Sequence, residues 1–208
     1  MPVSVIIPAY NEERTVGAVV EAAWGAAPLV REVIVVDDGS TDRTAAEALR
    51  AGAQVIPCGA NLGKARALLS GVQGAKEETV VFLDADLLGL RPQHLWYLAQ
   101  PVVEKQAHMA IGVFRRGRLA TDLAQLLAPQ LSGQRSLARR LFLGAWNFLG
   151  SGFAVEIALN SFAKRQGLAV VQVPLEGVSH VMKEEKRGFW RGMQSRVRMY
   201  VDIWRSLT

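Results

Sequence analysis

The stretch VVFLDADLL, residues 80–88, joins a β-branched apolar run to two aspartates one residue apart. Its first half reads as a strand buried on both faces, the form strands take in a parallel sheet covered by helices. Carboxylates at the end of such a strand are costly to bury unless something offsets their charge. Three earlier runs have the same apolar form: Val3–Pro8, Glu32–Val36 and Gln54–Pro57, with Thr79–Leu83 as the fourth. Helical patterns lie between them at Glu12–Ala27, Thr41–Ala51 and Leu62–Gly74, the second opening on a possible N-cap at Ser40-Thr41-Asp42 and closing at Gly52. Strand and helix alternate four times in about 85 residues, which predicts an α/β fold with right-handed crossovers.

After Asp86 the rhythm loosens. Pro92–Gln100 and Ser151–Gly167 read as helices, His108–Arg115 and Ala169–Pro174 as strands, and Phe189–Leu207 as a long final helix, while Arg116–Ser132 is ambiguous. With no internal repeat, low-complexity tract or clear linker, the 208 residues suit a single domain with a divergent second half.

Half of the residues are hydrophobic and 21% charged, so the chain is globular rather than disordered. No apolar run reaches bilayer length, and MPVSVIIPAYNEE lacks a signal peptide's basic start and cleavage site. One cysteine, Cys58, excludes an internal disulfide, and these features together predict a reducing, cytoplasmic setting. The formal charge is +5, with arginines gathered between Arg115 and Arg140 and basic residues again after Lys183. That balance suits an anionic partner, whether a phosphate-bearing substrate, a membrane surface or nucleic acid. No recognised motif accompanies the basic residues, which argues against nucleic acid.

In open α/β sheets, ligands bind beyond the carboxyl ends of the strands. Here those ends carry PAYNE (Pro8–Glu12), DDGSTD (Asp37–Asp42), PCGANLGK (Pro57–Lys64) and DAD (Asp84–Asp86), with acids at three of the four. Turns alone would not require that convergence. No G-x-G-x-x-G follows the first strand, and Gly63-Lys64 lacks the rest of a P-loop. If the fourth strand continues through them, Asp84 and Asp86 point to the same side. Paired hard oxygen ligands suit Mg²⁺ or Mn²⁺, which commonly use one or two carboxylates plus substrate phosphates.

The ordered set VIIPAYNEE, VVDDGSTDRT, NLGKARAL and FLDAD resembles the nucleotide-sugar-dependent glycosyltransferases of the GT-A fold, family 2 in the broad sense. LSGQR (Leu131–Arg135), GFAVEIAL (Gly152–Leu159) and Ser179-His180 are similar in order to acceptor-side motifs of glucosyl-3-phosphoglycerate synthases and their relatives. The resemblance implies a Rossmann-like, mostly parallel sheet with helices on both faces and a C-terminal amphipathic helix. It divides the chain into a nucleotide-binding half, 1–90, and an acceptor-side half, 91–208.

It also implies roles. Pro8, Ala9, Tyr10 and Glu12 would border the nucleoside, and Asp38 would meet the base edge, where a carboxylate accepts an imide N–H and favours uracil or guanine. Gly63 and Lys64 would close over the nucleotide, Lys64 countering phosphate charge. Asp84, with Ala85 beside it, would contact ribose or sugar, while Asp86 and His180 would bind the metal. Gly133, Gln134 and Arg135 would lie on the acceptor side, Arg135 gripping an anionic group. The family pattern is departed from in two places: Ala65 where glycine is frequent, and GFAVE in place of GYGVE.

Glu156 has two readings, a catalytic carboxylate facing the acceptor as base or hydroxyl anchor, or a first-turn acid favoured by the helix dipole. The stereochemical outcome is not readable. On the last helix Arg191, Gln194, Ser195, Arg198, Asp202 and Arg205 share one face, and Trp190, Met193, Val197, Val201 and Trp204 the other. Such a helix packs on its own domain, on a second subunit, or on an anionic membrane at the cytoplasmic face. The expectation is a metal-assisted hexosyltransferase using a UDP- or GDP-linked sugar and a hydroxyl acceptor. A polyprenyl-phosphate glycosyltransferase and a non-catalytic sugar-nucleotide-binding module are the alternatives.

Overall fold

The computed structural model describes residues 1–115, 132–146 and 155–181. The amphipathic stretch 189–207, the basic run 116–131 and residues 152–154 of the GFAVE motif lie outside the described residues. Within them the order is β1 (Val3–Ala9), α1 (Val16–Trp24), β2 (Val30–Asp37), α2 (Thr44–Arg50), β3 (Gln54–Pro57), α3 (Lys64–Gly74), β4 (Thr79–Phe82) and β5 (Leu87–Leu88). There follow α4 (Pro92–Val103), β6 (Met109–Arg115), β7 (Arg135–Ala138), α5 (Arg139–Trp146), α6 (Val155–Arg165), β8 (Val170–Glu176) and β9 (Ser179–His180).

Seven strands form one sheet in the order β3-β2-β1-β4-β7-β6-β8. All neighbouring pairs are parallel except those of β7, which runs antiparallel to both β4 and β6. The apolar runs of β1, β2 and β4 have a simple cause: successive residues enter different cores. Val5, Ile7, Val33, Val35 and Val81 face one core with α1 and α4. Ile6, Ile34, Val36, Val80 and Phe82 face the other, with Leu68 and Val72 of α3 and Phe142 of α5. Each such side chain contributes roughly 1.5–3 kcal/mol when fully buried.

Register aligns the carboxyl ends of the strands, pairing Ala9 with Asp37 and Asp37 with Pro57. The loops leaving β1 and β2 are then stitched together. Asn11 N–H donates to Ser40 Oγ at 2.9 Å and Glu12 N–H to Thr44 Oγ1 at 2.8 Å, while Asn11 Oδ1 accepts from Thr41 N–H at 2.9 Å. α1 and α2 begin at Val16 and Thr44, later than their periodicity predicts, and the loops that precede them hold each other through these bonds. Asp42, expected as part of an N-cap, instead accepts from the Thr44 N–H and hydroxyl one residue inside the helix.

The second half contains the main departures. β7 and α5 were not expected, and α4 runs on past Gln100 to Val103. The fourth strand does not continue through DAD. It ends at Phe82, Leu83 N–H still reaches Ile6 O at 3.1 Å, and the chain then turns. After that turn Leu87 and Leu88 pair antiparallel with His180 and Ser179 in a separate two-stranded ribbon.

Candidate active site

Strand alternation therefore does not aim Asp84 and Asp86; a turn does, and it sends them to different neighbours. Asp84 Oδ1 accepts from Lys64 Nζ at 2.7 Å, and Asp84 Oδ2 from Gln134 Nε2 at 2.8 Å. Lys64 stands at the first position of α3, and its ammonium also donates to Glu156 Oε1 on α6 at 2.8 Å. Two carboxylates 72 positions apart in sequence are thus bridged by one cation from a third element. Burial opposes charge on Lys64, but Asp84 and Glu156 outweigh it and hold the ammonium above its ordinary pKa. Burial likewise pushes Asp84 up, yet the Lys64 charge wins and keeps its carboxyl below the usual carboxylate range.

Gly133 forms the close wall of this cluster. A Cβ there would lie 2.5 Å from Lys64 Nζ and 2.8 Å from either oxygen of Asp84. A larger residue there would have to displace the Lys64 ammonium or the Asp84 carboxylate from their contact, a constraint the sequence could not display.

Asp86 faces the ribbon. Its Oδ1 lies 3.0 Å from His180 Nδ1, and its carbonyl accepts from Val181 N–H at 3.1 Å, so β9 delivers the imidazole to the turn. Phe114 packs edge-on to the His180 ring at 4.9 Å. Burial lowers the imidazole's proton affinity, but the hydrogen bond to Asp86 and the charge of Asp84 raise it above its ordinary value. Ligand atoms of Asp84, Asp86 and His180 all lie within 4.8 Å of one another. Two carboxylates and an imidazole form a hard, oxygen-rich donor set that fits Mn²⁺ or Mg²⁺.

The nucleoside-side residues sit around the loops of β1 to β3. Asp38 is 4% exposed, and its two oxygens accept from Leu62 N–H at 2.8 Å and Gly63 N–H at 2.9 Å. It ties the loop before α3 to the end of β2. Gly39, at φ +78°, keeps that approach possible, because a Cβ there would meet the Ala60 carbonyl carbon at 2.8 Å. Pro8 and Ala9 close β1, Ala85 is buried in the turn, and Tyr10 is exposed beside Glu12.

Arg135 departs from expectation. Expected to grip an acceptor's anionic group, it is 1% exposed within β7 and donates to Ser132 O and Asn160 Oδ1. Gln134 is fully buried and committed to Asp84, and its own Oε1 accepts from Ser132 Oγ. Asn160, Ser132 and Phe114 were missed, for they become visible only once β7, α6 and β9 meet. His94 and His108, left without a role, accept backbone N–H groups of Arg91 and Ala169.

A mostly parallel sheet whose carboxyl edge carries a D-x-D turn closed by a later histidine defines a GT-A-type architecture. The glycosyl transferase family 2 model matches residues 4–162, and the chain belongs to that family. Glucosyl-3-phosphoglycerate synthase of Mycolicibacterium smegmatis is 37% identical over 123 residues, covering 55% of this chain and 41% of that protein. The crystal structure of the Mycobacterium tuberculosis synthase with Mn²⁺, UDP and glucosyl-3-phosphoglycerate superposes with a TM-score of 0.70 at 31% identity. It covers 86% of this chain and 71% of that one. Another structure of that enzyme holds Mg²⁺ and UDP. Undecaprenyl-phosphate 4-deoxy-4-formamido-L-arabinose transferase of Pseudomonas paraeruginosa is 39% identical over 95 residues, covering 41% of this chain and 28% of that protein. The chain spans between 37% and 66% of the length of the glucosyl-3-phosphoglycerate synthases it matches. Among the described residues, no helix is long and apolar enough to cross a membrane.

Proposed function

We propose that the chain transfers a hexosyl group from a nucleoside-diphosphate sugar, UDP- or GDP-linked, to a hydroxyl of a phosphorylated small-molecule acceptor. The convergence of Asp84, Asp86 and His180 at the sheet's carboxyl edge carries this reading. Asp86 and His180 would hold Mn²⁺ or Mg²⁺, with Asp84 alongside. When bound, the ion would stabilise the charge on the departing diphosphate without proton transfer.

The chain's own residues supply the rest. Asp38 shapes the base side of the pocket by fixing Leu62 and Gly63, and Tyr10 and Glu12 border it. Lys64, kept cationic by its two carboxylates, places positive charge beside the position of the sugar and diphosphate. Glu156 orients that ammonium and faces the side where an acceptor hydroxyl would approach. The likeness to an enzyme crystallised with UDP and glucosyl-3-phosphoglycerate supports uridine and a phosphorylated acceptor.

Thermal-shift titration with UDP-, GDP- and ADP-glucose, with and without Mn²⁺, tests the donor. A stabilisation by the uridine or guanosine sugar that grows with Mn²⁺ is expected. An adenosine preference, or none at all, would overturn the donor assignment. The likeness to an undecaprenyl-phosphate sugar transferase favours a second reading in which the acceptor is a polyprenyl phosphate. Transfer to 3-phosphoglycerate but not to a short polyprenyl phosphate supports the first reading, and the reverse supports the second.

A further inference from the structure

Among the described residues, Arg135 is one of the largest fully buried side chains and the charged one of that set. Residues of this type are almost never fully buried unless paired. Its Nε–H donates to the Ser132 carbonyl at 2.9 Å, and one terminal nitrogen donates to Asn160 Oδ1 at 2.7 Å and lies 3.6 Å from Met109 Sδ. Burial draws its proton affinity down to a pKa of about 10, against the opposing pull of the Glu156 charge.

Both hydrogen-bonded partners sit next to the Lys64 cluster. Asn160 follows Glu156 by four residues on α6, so the two share a helix face. Ser132 opens the segment whose next two residues are Gly133, pressed against Lys64 and Asp84, and Gln134, bonded to Asp84. The guanidinium is a rigid planar fork, suited to fixing two acceptors in one geometry, which a lysine cannot do. Lys64 bridges Asp84 and Glu156, and the Glu156 charge also acts on Arg135. A buried residue serving only to fill space would not need a fork, a charge, or partners on these two segments.

We propose that Arg135 is a positioning residue, which sets the Glu156 face of α6 and the Ser132–Gln134 segment against the Lys64 ammonium from beneath. Its kinetic consequence rests on the transferase reading above; its geometric consequence does not. Glu156 meets Lys64 because α6 is gripped one turn later at Asn160. The role is one of orientation, and contact with substrate is not part of it.

The first test reads geometry in the protein alone. In a ¹H–¹⁵N spectrum of the lysine side-chain ammonium groups, the Lys64 signal is assigned by its loss in Lys64→Arg. Its reference position without the Glu156 contact comes from Glu156→Gln. In Arg135→Met, which keeps volume but removes fork and charge, the Lys64 signal is expected to move toward its position in Glu156→Gln. Asn160→Leu is expected to move it the same way by a smaller amount, and it answers the question if Arg135→Met does not fold. A Lys64 signal unmoved in a folded Arg135→Met, or in Asn160→Leu, would overturn the proposal.

The second test reads turnover. Arg135→Met is expected to lower kcat about 10- to 100-fold, the scale seen when residues supporting a site are removed, with the donor KM within about threefold of wild type. Arg135→Met added to Glu156→Gln is expected to cost little more than Glu156→Gln alone. Additive losses would mean that Arg135 acts elsewhere, and that result also overturns the proposal. If wild type turns over no nucleotide sugar while the Lys64 signal behaves as described, the transferase reading fails and the positioning role stands.

Discussion

Two carboxylates separated by one alanine have different partners in this molecule, although an oxygen of each lies within 4.8 Å of the other. Asp84 belongs to a closed cluster: both of its oxygens are bonded, to Lys64 and Gln134, and Lys64 is shared with Glu156. Asp86 belongs to a site built like a ligand set, beside an imidazole delivered by a two-residue strand from 94 positions away. The closed cluster carries its compensation within the protein. The other carries the donor set of a divalent cation. The turn after Phe82 gives the two acids these different partners while keeping an oxygen of each within 4.8 Å of the other. A single D-x-D motif thus joins an ion pair with Lys64 to a donor set that fits a divalent cation.

The comparison predicts that changes on its two sides separate. On the Asp86 side the effect falls on chemistry. Asp86→Ala is expected to reduce Mn²⁺-dependent donor turnover at least about 100-fold, since metal stabilisation of developing charge is worth several kcal/mol. Thermal stability without metal should stay near wild type. Near-normal turnover with added Mn²⁺ would break the assignment.

On the Asp84 side the effect falls first on folding. Lys64→Met leaves Asp84 and Glu156 without their shared cation. Breaking a buried pair costs about 3–5 kcal/mol, and the 37% exposure of the Lys64 side chain brings the expected loss to about 2–3 kcal/mol by urea denaturation. A stability loss below about 0.5 kcal/mol would mean that the cluster is a surface ion pair. Gly133→Ala probes the same cluster sterically and is expected to cost about 1–2 kcal/mol, as added volume in a packed site does. An unchanged midpoint would show that the Lys64–Asp84 contact has slack that the distances do not suggest.

The smallest effect lies at the rim. Asp42 is held below the ordinary carboxylate pKa, because its bonds from Thr44 outweigh the opposing effect of burial. A depressed folded-state pKa contributes stability that is present above the unfolded value, near 3.8, and is lost as pH falls through the folded one. Asp42→Ala is expected to cost about 1 kcal/mol at neutral pH. The gap between it and wild type should shrink below about pH 4, checked by urea midpoints across pH.

Legibility in the sequence followed the same division. β1 to β4, α1 to α3 and the loaded strand ends were readable because apolar runs and turn residues are local signals. The second half was harder. β7 is four residues long and holds Arg135 and Ser136, so it lacks strand patterning; the sheet and Asn160 make that arginine tolerable. The pairing of Lys64 with Glu156 spans 92 positions, and nothing near either residue announces it. His180 was legible through motif order, whereas the ribbon that carries it, two residues per strand, was not. Asp84 and Asp86 were given different roles by resemblance, and the turn that gives them different hydrogen-bond partners is seen only in three dimensions.

The central claim is that Asp86 and His180 hold a divalent cation, with the Lys64 ion-pair cluster beside it. Calorimetric titration of Mn²⁺ with UDP present tests it directly, in wild type, Asp86→Ala and His180→Ala. Binding of one Mn²⁺ per chain in wild type, with affinity lost at least tenfold in both Asp86→Ala and His180→Ala, is the predicted result. Equal Mn²⁺ affinity in wild type and Asp86→Ala would contradict it.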